Sequence, residues 1–110
     1  MNKIDYFNDL DRLLTEIRLN SKYTRSDAKT INLRTTQLFK SDDLFTARFN
    51  LAHALINRPD YRNQESMQQE VKALIQDLLF TLYQGFTSTQ REDLALSEDS
   101  RIYIHYRLNS

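Results

Sequence analysis

The sequence predicts an all-α fold, an antiparallel four-helix bundle followed by an aromatic C-terminal tail, and three observations carry that expectation. The 110 residues include one glycine and one proline, so regular structure is rarely forced to stop. The Asn-Gly and Asp-Gly dipeptides that favour β-hairpins are absent. Apolar residues recur at steps of three and four through most of the chain, as helices with one buried face require. The length predicts a single domain over residues 1–110, able to remove roughly two-thirds of its unfolded surface from water.

Ile4, Phe7, Leu10, Leu14 and Ile17 share one face, with Asp5, Asp9, Asp11, Arg12 and Glu16 elsewhere, which predicts a first helix from about Lys3 to Leu19. The polar run "NSKYTRSD" then offers Ser and Thr caps, and a second helix is expected from near Ser26, with Asp27 in its first turn. Its stripe of Ala28, Ile31, Thr35, Leu38 and Phe39 lapses at "KSDDLF". There Ser41 is expected to cap a fresh start, so the stretch 26–57 is bent or split in two. Phe45, Phe49, Ala52 and Ile56 form the next apolar face, and Pro59 ends it because the residue before a proline is excluded from helical geometry. Beyond "NRPDYRNQ", Met67, Val71, Leu74, Ile75, Leu78, Leu79 and Leu82 form the broadest apolar face in the chain. So wide a face predicts a central helix packed on several neighbours.

Gly85 is expected to stop that helix in a left-handed conformation, with Phe86 folding back on Phe80 or Thr81. Immediately afterwards "TSTQ" has the form of a capping box, in which Thr87 accepts from the Gln90 amide and the Gln90 side chain reaches back. A short last helix is expected from about Ser88 to Leu96. In "RIYIHYRLNS", Ile102, Ile104, Tyr106 and Leu108 alternate with Tyr103, His105 and Arg107, a strand-like period with no partner strand in a helical domain. The expectation is an extended tail lying on the bundle, or an irregular turn.

Composition excludes several function classes. Without cysteine there are no disulfides, thiolate metal sites or cysteine nucleophiles, and a cytoplasmic location is permitted. The start "MNKIDYFNDLDRLL" lacks the uninterrupted apolar run of a signal peptide or membrane span. One glycine cannot build a phosphate-binding loop, and His53 and His105 have no second ligand at metal spacing, so no cofactor, metal or catalytic residue is expected and the chain is read as a non-enzyme. Fifteen basic and fifteen acidic residues cancel, which argues against nucleic acid as the main partner. A helix-turn-helix over Ser26 to Ile56 is disfavoured because Asp42 and Asp43 would open its second helix against phosphates. The charge is uneven, however: Lys22, Arg25, Lys29, Arg34 and Lys40 oppose only Asp27 in one stretch, and such a cluster reads first as a solvated helix face. The most binding-like cluster is Arg101, Tyr103, His105, Tyr106 and Arg107, since tyrosine and arginine are favoured interface anchors; the same rings also suit packing of the tail onto the bundle.

The stretch "LIQDLLFTLYQGFTSTQREDL", Leu74 to Leu94, joins an apolar helix with an aromatic near its end to a tight turn and an "FT..Q..DL" helix start. With the length, the short last helix and the aromatic basic tail, it resembles the enterocin A/pediocin-like bacteriocin immunity proteins, small four-helix proteins of Gram-positive bacteria. That resemblance implies a cytoplasmic protein protecting a bacteriocin producer by binding at the cytosolic face of the targeted mannose phosphotransferase permease. It places the partner-binding residues in the last helix and tail: Arg91, Arg101, Tyr103, His105, Tyr106 and Arg107. A helical interaction or regulatory module, phage-like or antitoxin-like, is the alternative, followed by a DNA-binding regulator.

Overall fold

Six α-helices and one 3-10 turn build the chain in a computed structural model that describes residues 2–110. They are α1 (Lys3–Arg18), α2 (Thr24–Leu38), α3 (Leu44–Ile56), α4 (Glu65–Gly85), α5 (Ser88–Glu92) and α6 (Glu98–Leu108), with the 3-10 turn at Tyr61–Asn63 between α3 and α4. No strand occurs among the described residues. Asn2 caps α1 by accepting from the Asp5 amide, and the predicted apolar stripe is buried, with Phe7, Leu10, Leu14 and Ile17 facing the interior. α4 packs on α1, α3, α6 and the 3-10 turn, as the width of its apolar face leads one to expect. α2 packs on α1 and α3.

The break near Ser41 is real, but its cap lies elsewhere. Asp43, in extended backbone, accepts from the Phe45 amide at 2.8 Å and starts α3 at Leu44, while Ser41 stays in the loop. Two helices are therefore present, and an aromatic cluster covers the gap: Phe39 and Phe45 stack at 4.2 Å between centroids, and the Tyr6 ring leans on both. The Tyr6 hydroxyl, fully buried, bonds Thr35 at 2.6 Å. Because Thr35 spends its one hydrogen on the Ile31 carbonyl, Tyr6 is the donor. Burial accordingly holds the phenol well above its ordinary pKa.

Gly85 differs from expectation. No glycine has positive φ; Gly85 is the last residue of α4, and the cap is Phe86 in extended backbone. The Phe86 ring crosses to α1, where it meets Phe7 edge-on at 6.0 Å. The chain leaves the helix through an extended residue, so no left-handed residue is required. A Cβ at Gly85 would meet nothing within 4 Å. Gly85→Ala is thus expected to raise stability by about 0.5 kcal/mol, from helix propensity and reduced unfolded-state entropy, in thermal melts. The capping box forms as predicted: Thr87 accepts from the Gln90 amide, and the Gln90 side chain accepts from the Thr87 amide at 2.8 Å.

The expected helix from Ser88 to Leu96 stops at Glu92, and the expected extended tail is instead the helix α6. Ser97 caps it by accepting from the Ser100 amide, Glu98 and Asp99 occupy its positive end, and His105 and Arg107 its negative end. The period-two alternation has no structural counterpart: Ile104 is buried, whereas Ile102, Tyr106 and Leu108 are exposed. The inward positions are Ser100, Tyr103, Ile104 and Arg107, at helical spacing.

One contact between α1 and α2 makes stability depend on pH. Glu16 has a buried carboxylate oxygen with no hydrogen-bond donor among the described residues, and it faces Asp27. Burial first, then proton sharing with Asp27, push the Glu16 carboxyl up to about 7, with Arg12 opposing. The folded state therefore binds more protons than the unfolded chain between the ordinary value of 4.5 and about 7. This pair's contribution is complete below 4.5 and is lost as pH rises through 7. His53, whose pKa burial lowers, has the opposite slope on the acid side. Glu16→Gln is expected to abolish the Glu16 slope in urea melts across this range; an unchanged slope would show that the pair does not share a proton.

Candidate functional site

The residues singled out at the C-terminal end divide into two groups once α6 is placed. Arg107 faces inward: its guanidinium lies over the Phe80 ring at 4.4 Å, donates to the Tyr103 hydroxyl at 2.6 Å and reaches Asp77 at 3.4 Å. Asp77 on α4 also accepts from Arg48 of α3 at 2.9 Å, so this carboxylate ties α3, α4 and α6 together. Arg91 likewise turns inward, stacking on Tyr83 at 4.3 Å and donating Nε to the Tyr83 carbonyl, one of the last carbonyls of α4. Arg91, Tyr103 and Arg107 are thus half-buried residues that pack the last two helices onto α4, the second of the two roles the sequence offered for these rings and guanidinia.

Arg101, His105 and Tyr106 are exposed, and they stand beside residues that sequence reasoning did not single out. Ile102 and Tyr106, one turn apart, are 60% and 66% exposed, as are Leu19, Leu33 and Leu44 elsewhere, but these two share one side of a single helix and border one groove. Leu108 is exposed too, on the side of α6 that carries Arg101 and His105. Between α4 and α6 runs a shallow groove of about 340 Å³, bordered by Lys72, Gln76, Asp99, Ile102, Tyr103 and Tyr106. The amphipathic alternation hid this surface, because a strand period assigns Ile102 and Tyr106 to the same inward side as Ile104. Their exposure follows only once helical geometry is known.

What docks α6 was not legible either. Asp11 of α1 is 5% exposed and accepts from the Ser97 amide at 2.9 Å, the Ser97 hydroxyl at 2.8 Å and the Ser100 hydroxyl. A buried carboxylate against the positive end of α6 is satisfied by hydrogen bonds as well as by the helix dipole. Nearby, Asn8 accepts from the Ala95 amide at 2.9 Å, fixing the linker before α6.

Elsewhere, an open cavity of about 550 Å³ lies where α1 begins and α4 ends, walled by Phe39, Phe45 and Phe86 and edged by Lys3 and Gly85. Lys3 sits over Phe39 at 5.1 Å. The described residues contain no cluster of three or more His, Asp or Glu placed to hold a metal ion, and no helix is long and apolar enough to cross a membrane. Compared with known proteins, the chain matches no family model, no curated protein and no solved structure.

Proposed function

We propose that this chain is a protein-binding module whose contact surface is the solvent face of α6, and that it acts as a bacteriocin immunity protein. The observation that carries the reading is the pair Ile102 and Tyr106, large apolar side chains left exposed on a helix whose opposite face is firmly docked. Exposed aromatic and aliphatic residues beside arginine form the kind of patch that anchors protein interfaces. In this reading α1 to α4 make the antiparallel four-helix bundle, α6 is the recognition element mounted on it, and the setting is cytoplasmic. The resemblance of Leu74 to Leu94 to the immunity proteins names the partner: the mannose phosphotransferase permease engaged by the peptide. A general helical interaction module uses the same surface with a different partner.

Expression of the chain in a strain sensitive to pediocin-like peptides tests the immunity reading. Survival under at least one peptide of a panel is the expected result, and unchanged killing by all of them would sink it. The surface assignment is tested separately by the α6 substitutions in the Discussion.

A further inference from the structure

The cavity where α1 begins and α4 ends takes no residue from α6. We propose that it binds a medium-chain fatty carboxylate, with the hydrocarbon on its phenyl walls and the carboxylate at Lys3. Its volume of about 550 Å³ falls inside the range of roughly 300–1,000 Å³ usual for small-molecule pockets. Phe39, Phe45 and Phe86 wall it, and Ile4 and Leu82 add aliphatic surface. Such walls recognise an apolar body by removing it from water.

The polar side chains at its border have donors to offer. Asn2 and Gln90 each spend the side-chain oxygen on a helix start, Asn2 accepting from the Asp5 amide at 2.8 Å and Gln90 from the Thr87 amide at 2.8 Å. What each has left is an NH2 group, which only donates. Lys3 adds an ammonium 5.1 Å from the centre of the Phe39 ring, and among the described residues it pairs with no carboxylate. The acid at the border, Asp43, turns one oxygen to the Phe45 amide at the positive end of α3, which offsets its charge. Amide donors and an unpaired ammonium beside an apolar chamber suit a ligand with an anionic acceptor at one end.

Gly85 is the independent observation. It is the chain's single glycine, and the usual structural reasons for a glycine do not hold there. Its φ is not positive, it ends a helix that alanine would favour more, and a Cβ would meet nothing within 4 Å. It borders this cavity, and the remaining use of a glycine is to let a ligand approach the backbone closely. The residue that weakens the end of α4 is thereby given a role: it leaves open the space that the hydrocarbon occupies.

The test is titration of the whole chain with decanoate, below its micelle concentration and at constant ionic strength, followed through backbone amide NMR shifts. Saturable shifts at Lys3, Leu82, Gly85 and Phe86 are expected. Acetate, the head group alone, is expected to give none, and decanol, the same chain without the charge, to bind about threefold more weakly, the scale of an exposed ion pair. Lys3→Gln is expected to erase the difference between decanoate and decanol while leaving decanol binding unchanged. Gly85→Leu is expected to weaken decanoate binding about tenfold, as overfilling a packed site does, with a thermal melt no lower than that of the natural chain. Gly85→Ala, which adds only a methyl group, is expected to fall between the two and carries the comparison where the leucine variant folds poorly. Shifts that grow without saturating, shifts centred on Ile102 and Tyr106 instead, decanol binding the natural chain as tightly as decanoate, or folded Gly85 variants that bind like the natural chain would each overturn the proposal.

Discussion

Asp11→Ala is expected to destabilise the fold by about 3 kcal/mol and to loosen α6 first. The carboxylate holds the Ser97 amide and the Ser97 and Ser100 hydroxyls, and Ser100 is 1% exposed, so water does not readily replace what is lost. Bonds to a charged acceptor contribute about 1.5–3 kcal/mol each, and stranded buried donors cost about 1–3 kcal/mol, with losses at one carboxylate not additive. At this chain length a loss of that size lowers the melting temperature by roughly 10–20 °C. Asp11→Asn, which retains one acceptor oxygen, is expected to fall between the two. A thermal melt of Asp11→Ala within a few degrees of the natural chain would mean that α6 is held by its apolar contacts and the Arg107–Asp77 pair without help from Asp11.

Phe7→Ala is the second large effect, about 4 kcal/mol, from lost burial and the cavity left behind. Phe7 is fully buried on α1 and receives the Phe86 ring edge-on, so its removal also unseats the turn that carries the chain from α4 to α5. Against a total of about 5–15 kcal/mol for a domain, this leaves a chain near its folding threshold. Phe7→Leu, which keeps most of the volume, is expected to recover more than half the loss in urea melts. A Phe7→Ala variant as stable as the natural chain would contradict the position given to this ring.

Local chemistry was legible and long-range chemistry was not. The stripes of α1 and α4, the break before α3 and the Thr87–Gln90 box each depend on residues within a few positions, where spacing alone decides the outcome. The Asp43 cap was missed because Ser41 offers an equally good cap two residues earlier; the Phe39–Phe45 stack is a tertiary contact that accompanies the later start. At the C-terminal end, apolar alternation outweighed the start signal Ser97-Glu98-Asp99, yet helical pairing of Ser100 with Ile104 buries one apolar residue and leaves three exposed. Nothing local announces that Asp11 accepts from residues 86 and 89 positions away, or that Asp77 gathers Arg48 and Arg107. The candidate site therefore emerged only in part: its segment was legible, but the division between docking residues and exposed ones depends on contacts with α1 and α4.

That division is most directly tested by Ile102→Asp/Tyr106→Ala, assayed for thermal stability and for protection of a peptide-sensitive strain that the natural chain protects. Both side chains lie on the solvent face of α6, so the melt is expected to stay within a few degrees of the natural chain while protection is lost, as for two central anchors of an interface. Full protection by a stably folded double variant would contradict the assignment of the α6 surface as the site of action.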